Sequence, residues 1–172
     1  GRLLAALFAD QLAIPVVAVD TTSLPGWIGT DTLVVCTSYS GATAETLDWW
    51  EQAGRSGAQR IAVTAGGALA VRADQAGAPC VVVEAGFEPR GALGLLLGAL
   101  VGALDAVGAA PGSAALLTAA IPSTMLVVAA ERANAATAEA EAARLAGRVV
   151  VFYGSAARAA AAVRLKNQVN EN

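Results

Sequence analysis

The stretch TLVVCTSYSGATAET, Thr32 to Thr46, decides how this chain is read. Its first six residues are a continuous apolar and β-branched run, the pattern of a strand buried on both faces. Residues 43–56 are helical by pattern, with Leu47, Trp50 and Ala53/Gly54 at three-to-four spacing. A short hydroxyl-rich turn joins the two. The same alternation continues on either side. Residues 5–13 read as the end of a helix stopped by Pro15, and 16–19 as a short strand. Strands at 60–64 and 80–83, with helices at 68–76 and 90–107, follow. Strand and helix in this order predict an α/β fold: a parallel sheet with helices on both faces.

Composition narrows the chemistry. The chain has 172 residues, 56% of them hydrophobic and 15% charged, and about a quarter are alanine. That is ample apolar material for a core. A net charge of −3 argues against nucleic acid or an anionic membrane as partner, since both need a basic patch. Histidine is absent, which removes the usual general base and the commonest metal ligand. Ser-His-Asp hydrolysis and His-bearing zinc sites are thereby excluded within this chain. The two cysteines, Cys36 and Cys80, sit inside apolar runs and read as small buried hydrophobes. They make neither a metal spacing nor a disulfide framework.

Beyond residue 107 the pattern shifts. GAAPG at 108–112 is a linker signal, and an alanine-rich helical region follows to Gly147, expected as two helices broken around Pro122. Residues 106–130 carry no charge and are long enough to span a bilayer. Pro111, Gly112 and Pro122 interrupt them and alanine is only weakly apolar, so no membrane span is expected. RVVVFY at 148–153 reads as a fresh strand, followed by Gly154-Ser155 and a helix from about Ala157.

The loop 37–46 lies at the carboxyl end of a parallel strand, where open α/β sheets bind ligands. Ser38, Ser40 and Thr43 can converge there on one anion. Gly41 admits close backbone approach, and the following helix adds free N–H groups and a partial positive charge. The loop holds no Lys or Arg. Such a site suits the phosphate of a small sugar better than a nucleoside triphosphate, which calls for a lysine and Mg²⁺. The same residues also fit an ordinary turn with Thr43 as N-cap. Both readings stand on the residues alone. Gly66-Gly67 forms no G-x-G-x-x-G after a strand, so a dinucleotide site is not expected. Trp27, Trp49 and Trp50 could stack on a sugar, but core or interface roles suit them better.

VVCTSYSGATAETL resembles the phosphate loop of sugar isomerase (SIS) domains, S-x-S-G-x-T-x-E-T. Further segments resemble the bifunctional phosphoglucose/phosphomannose isomerase family in the same order: LPGWIG (24–29), AVTAGGALA (62–70), EPRGALG (88–94), FYGS (152–155) and RLKNQVNEN (164–172). The resemblance implies a flavodoxin-like three-layer SIS domain at 1–110 and a helical linker at 111–147. Residues 148–172 would then open a second, truncated SIS domain. It further implies that Ser38, Ser40 and Thr43 hold the substrate phosphate, that Arg90 faces the developing enediolate, and that Glu171 is the catalytic base. Asn167 and Arg164 lie four and seven residues before Glu171, on one helical face, and could orient it.

The activity so implied is aldose–ketose isomerisation among glucose 6-phosphate, mannose 6-phosphate and fructose 6-phosphate through a cis-enediol. No metal or cofactor takes part. The protein would be cytoplasmic and homodimeric. Position 42 is Ala where many family members carry Asn. The family's ring-opening His and a C-terminal Lys are expected beyond Asn172, and a glycine-rich loop before Gly1. A non-catalytic, regulatory sugar-phosphate-binding module is the alternative.

Overall fold

The computed structural model describes every residue except Asp20, Ala156, Glu171 and Asn172. Three short strands, β1 (Leu33–Thr37), β2 (Gln59–Thr64) and β3 (Cys80–Val82), form a parallel sheet in the order β1-β2-β3. Val35 sits opposite Ile61, and Val63 opposite Val81. The helices are α1 (Arg2–Leu7), α2 (Ala44–Arg55), α3 (Gly67–Gln75), α4 (Leu93–Ala106), α5 (Ser113–Ala133), α6 (Ala135–Leu145) and α7 (Ala157–Asn170). The expected α/β class and parallel sheet are both present.

Alternation along the strands sorts the core into two layers. Val34 and Cys36 of β1 point into a cluster with Trp50 and Ala53 of α2 and Leu69 and Ala73 of α3. Val63 of β2, with Val35 and Val81 beside it, faces Leu4 and Phe8 near α1 and Leu100, Val101 and Leu104 of α4. The uninterrupted apolar run in β1 thus reflects helices packed on both sides. Arg60 adds a polar tie on the first face. Its guanidinium lies 4.5 Å from the Trp50 ring centroid and donates to the Trp50 carbonyl at 3.0 Å.

Four expectations need correction. Residues 16–19 form no strand: they enter no ladder, although Val16 packs into the α1/α4 layer. Residues 148–153 likewise form no strand, because no neighbouring strand offers them a ladder, and Val149 and Tyr153 are each 91% exposed. The helix expected from residue 90 begins instead at Leu93, since residues 88–92 make a turn with Gly91 N–H donating to the Glu88 carbonyl. The helical region breaks at Asn134, not at Pro122, which lies inside α5. Pro122 leaves the Thr118 carbonyl without its helical donor, a loss that an exposed helix tolerates because the carbonyl stays open to solvent. Asn134 departs from helical geometry (φ −103°, ψ 24°) and closes α5 by donating from Nδ2 to the Ala130 carbonyl.

The α4–α5 corner is capped by Asp105, whose carboxylate accepts from the N–H groups of Gly112 and Ala114, each at 3.0 Å. Helix α5 is long and apolar enough, by length and composition only, to cross a membrane, and it is almost wholly exposed. Helix α7 packs against α1, and Arg164 Nη2 donates to the Arg90 carbonyl at 3.0 Å.

Two measurements probe this core. Trp50 is 1% exposed, so Trp50→Ala should lower the unfolding free energy in urea by about 3–5 kcal/mol. Trp27→Ala, at a side chain 61% exposed, should change it by less than about 0.5 kcal/mol. Burial pushes the Cys36 thiol up from 9.0 to about 11, with the Arg60 charge opposing. The folded chain therefore holds this proton more tightly than the unfolded one. The associated stability is complete below pH 9 and is lost as pH rises toward about 11. Cys36→Ala should flatten the fall in stability across that window, and identical profiles would contradict the assignment.

Candidate functional site

The loop after β1 begins by extending the ladder. Ser38 N–H donates to the Val63 carbonyl at 3.1 Å, which places Ser38 at the carboxyl edge of the sheet with its side chain buried. The chain then turns through Gly41, whose N–H donates to the Ser38 carbonyl at 3.2 Å, and enters α2 with Thr43 as its N-cap. The Thr43 side chain makes no capping hydrogen bond. It turns instead toward Ser38, and the two hydroxyl oxygens are 2.7 Å apart. Of the two readings of this segment, the N-cap position is occupied but its hydroxyl is directed to the neighbouring serine.

Ser40 behaves differently. It is exposed, and its Oγ accepts from the Ala42 N–H at 3.2 Å. The structure therefore brings two of the three expected hydroxyls together and leaves the third on the rim. With the first turn of α2, they gather hydroxyl and helix N–H groups at the carboxyl edge of the sheet. Helix N–H groups and hydroxyls suit an anion, and the partial positive charge of a twelve-residue helix adds to them. Glu45 is exposed in the first turn of the same helix.

A second loop supports the first. From Thr64, the last residue of β2, the chain runs through Ala65 and Gly66 to Gly67, the first residue of α3. Thr64 is fully buried; its hydroxyl donates to the Gly66 carbonyl at 2.8 Å, accepts from Gly66 N–H at 3.2 Å, and lies 3.3 Å from the Tyr39 carbonyl. Ala65 N–H donates to the Tyr39 carbonyl at 2.9 Å, and Leu69 N–H to the Gly41 carbonyl at 2.9 Å. The contact is so close that only glycine fits at two places. A Cβ on Gly41 would run into the Gly66 carbonyl, and one on Gly67 into that of Ser40. Both glycines also have positive φ, +65° and +69°.

Sequence reasoning did not single out Thr64 or the Gly66-Gly67 pair as site residues. The available signal was positional: a glycine pair directly after the neighbouring parallel strand.

Tyr39 was also passed over. Its hydroxyl donates to the Glu84 carbonyl at 3.2 Å and accepts from Phe87 N–H at 2.8 Å. It thereby anchors the segment leading from β3 to Arg90. Arg90 itself is exposed, and among the described residues it makes no ion pair with Glu88. Its backbone carbonyl receives Arg164 from α7. The Arg90 turn and α7 are therefore adjacent. Glu171, the expected base, lies outside the described residues. Asn167 is half-buried on α7. Among the described residues there is no cluster of His, Cys, Asp and Glu able to hold a metal ion.

The tryptophans divide by environment. Trp50 is core, Trp49 is half-buried with Nε1 donating to the Thr21 carbonyl at 2.7 Å, and Trp27 is exposed.

Comparison with known proteins adds an independent line. No protein-family model matches the chain. Among individual proteins, it is 39% identical over 94 residues to the bifunctional phosphoglucose/phosphomannose isomerase of Caldicellulosiruptor bescii, covering 55% of this chain and 28% of that protein. It is 40% identical over 83 residues to the protein of the same name from Aquifex aeolicus, covering 48% and 26%. The one from Pyrobaculum aerophilum is 45% identical over 67 residues, covering 39% and 21%. The matched part thus spans less than a third of the length of each of these relatives. Over about half of its own length the chain is similar in sequence to bifunctional phosphoglucose/phosphomannose isomerases, the family that its ordered motifs resemble.

Proposed function

We propose that the loop 38–43 binds the phosphate of a sugar phosphate and that the chain is part of an isomerase. Its substrates would be glucose 6-phosphate or mannose 6-phosphate on one side and fructose 6-phosphate on the other. The observation that carries the reading is the Ser38–Thr43 pair at the start of α2, with a capping hydroxyl left unspent on its helix. The names of the relatives supply the sugar and the reaction.

In this reading residues 1–110 are a first SIS domain, 111–147 a helical linker, and 148–172 the start of a second SIS domain. The protein works in the cytoplasm as a homodimer without a metal or cofactor. Isomerisation moves one proton between C1 and C2 of the open-chain sugar through a cis-enediol, while the hydroxyl proton passes between O2 and O1. Glu171 removes the proton from one carbon and returns it to the other, so a single carboxylate serves both steps. Arg90 stabilises the oxyanion that develops between them. A guanidinium does this without competing as a proton donor, because it stays charged throughout. Arg164 of α7 reaches the Arg90 carbonyl, which ties this helix to the Arg90 turn.

A second reading keeps the phosphate loop without turnover: a non-catalytic sugar-phosphate-binding module with a regulatory role. Both readings share the phosphate loop and differ in turnover. The 172-residue chain alone is expected to show negligible isomerase activity.

The shared step is tested by calorimetric titration with fructose 6-phosphate. Ser40→Ala combined with Thr43→Ala should weaken binding about tenfold or more, since each hydrogen bond to a charged group contributes about 1.5–3 kcal/mol. Unchanged affinity would refute the phosphate loop. Gly41→Ala should both destabilise the fold, by at least about 1 kcal/mol, and weaken binding. The catalytic step is tested in a full-length isomerase carrying this segment. There Glu171→Gln should lower kcat by orders of magnitude while sugar-phosphate binding persists. Loss of binding instead would make Glu171 structural.

A further inference from the structure

The segment between β3 and α4 depends on one side chain for its place. β3 ends at Val82, and Val83 still extends the ladder, its N–H donating to the Thr64 carbonyl at 2.9 Å. Residues 84–87 then make no backbone–backbone hydrogen bond among the described residues, and all four are exposed. Gly86, at φ +98°, lets the chain change direction here. Local order returns at the turn where the N–H groups of Gly91 and Ala92 donate to the Glu88 carbonyl, and Arg90 lies within that turn. Between these two points the Tyr39 hydroxyl supplies both ties. It donates to the Glu84 carbonyl at 3.2 Å and accepts from Phe87 N–H at 2.8 Å.

Tyr39 belongs to the loop after β1, so its side chain crosses the carboxyl end of the middle strand, β2, to reach the chain leaving β3. Its main chain is fixed where the two loops interlock. The Tyr39 carbonyl accepts from Ala65 N–H and lies 3.3 Å from the Thr64 hydroxyl, and Ser38 and Ser40 flank it in sequence. One residue thus has its backbone in the hydroxyl loop and its phenol oxygen on the segment that carries Arg90. A neutral phenol donates and accepts at once, so a single atom satisfies both backbone groups. Phenylalanine would fill the same space and make neither bond.

We propose that Tyr39 is a positioning residue for Arg90. Its hydroxyl sets the Arg90 turn relative to the loop 38–43, so that the guanidinium meets the enediolate of a sugar whose phosphate is already seated. The role rests on that loop binding a phosphate, and it adds a residue that acts on the reaction only through Arg90. Residues 84–87 have no other backbone tie among the described residues, so loss of the hydroxyl frees them. Ser38, Thr43 and the first turn of α2 keep their own bonds. Phosphate binding and charge stabilisation therefore come apart when this one oxygen is removed.

Calorimetric titration of the 172-residue chain with fructose 6-phosphate and with arabinonate 5-phosphate, whose carboxylate imitates the enediolate, tests this. The chain should bind the aldonate at least about tenfold more tightly, as a mimic of the charge that develops in the reaction. Tyr39→Phe should erase most of that preference and leave the fructose 6-phosphate dissociation constant within about twofold. Arg90→Gln should erase the preference too. The double variant should lose no more than Arg90→Gln alone, a non-additivity that general loosening of the fold would not produce. Without ligand, the Phe87 amide should exchange about tenfold faster in Tyr39→Phe, since its acceptor is gone. A preference that survives Tyr39→Phe, or unchanged Phe87 exchange, would overturn the role of Tyr39 and leave the phosphate loop standing. Equal affinities of the unaltered chain for the two compounds would overturn it as well. So would weakened fructose 6-phosphate binding in Tyr39→Phe, because the tyrosine would then shape the loop itself. If the unaltered chain binds neither compound, the phosphate loop fails and the role of Tyr39 falls with it.

Discussion

The hydroxyl of Thr64 lies between two loops that the sheet brings side by side. It closes the turn of its own loop onto Gly66 and sits against the Tyr39 carbonyl of the other. A buried hydroxyl without partners would cost about 1–3 kcal/mol, so this group is stable there only while both loops keep their shape. The interlock at Gly41 and Gly67 follows from the same closeness, since neither loop can recede without stranding Thr64. Everything proposed for the site depends on it. The Ser38–Thr43 pair points where it does because Gly41 is pressed into the second loop, and α2 starts where that turn ends.

The proposed phosphate site, built without a cation, has chemical consequences. Hydroxyls and helix N–H groups bind an anion through directed hydrogen bonds and a partial charge, and they leave the remainder of the ligand free of a fixed metal. Such a cradle suits a small phosphate ester whose reacting carbons lie some atoms away. The Tyr39 hydroxyl, holding the Glu84 carbonyl and Phe87 N–H, fixes the segment between that cradle and Arg90. In the proposed reading, phosphate anchoring and charge stabilisation share one frame. That arrangement would put binding energy at the end of the substrate that does not react.

Much of this was legible in the sequence, for identifiable reasons. β1, α2, β2, α3 and β3 were readable because apolar runs and three-to-four spacing are local signals, and both sides of this sheet are covered. Ser38, Ser40 and Thr43 were singled out as candidates by the position of their loop at a strand's carboxyl end. Thr64 was not, because a threonine ending a strand looks like any β-branched core residue. Only the neighbouring loop gives its hydroxyl a purpose. Residues 16–19 and 148–153 carry good strand chemistry, yet strand formation needs a partner edge, which no local pattern supplies. Pro122 failed as a helix breaker because α5 is exposed and water can take over the lost donor. Arg90 and Glu171 rested on resemblance throughout, since exposure and spacing alone do not tell a catalytic ion from a surface one.

Backbone amide shifts recorded while the chain is titrated with fructose 6-phosphate, and separately with fructose, test the central claim most directly. The account predicts saturable shifts concentrated at Gly41 to Thr46 with the phosphorylated sugar and none there with fructose. Shifts centred elsewhere, or equal responses to the two sugars, would contradict it.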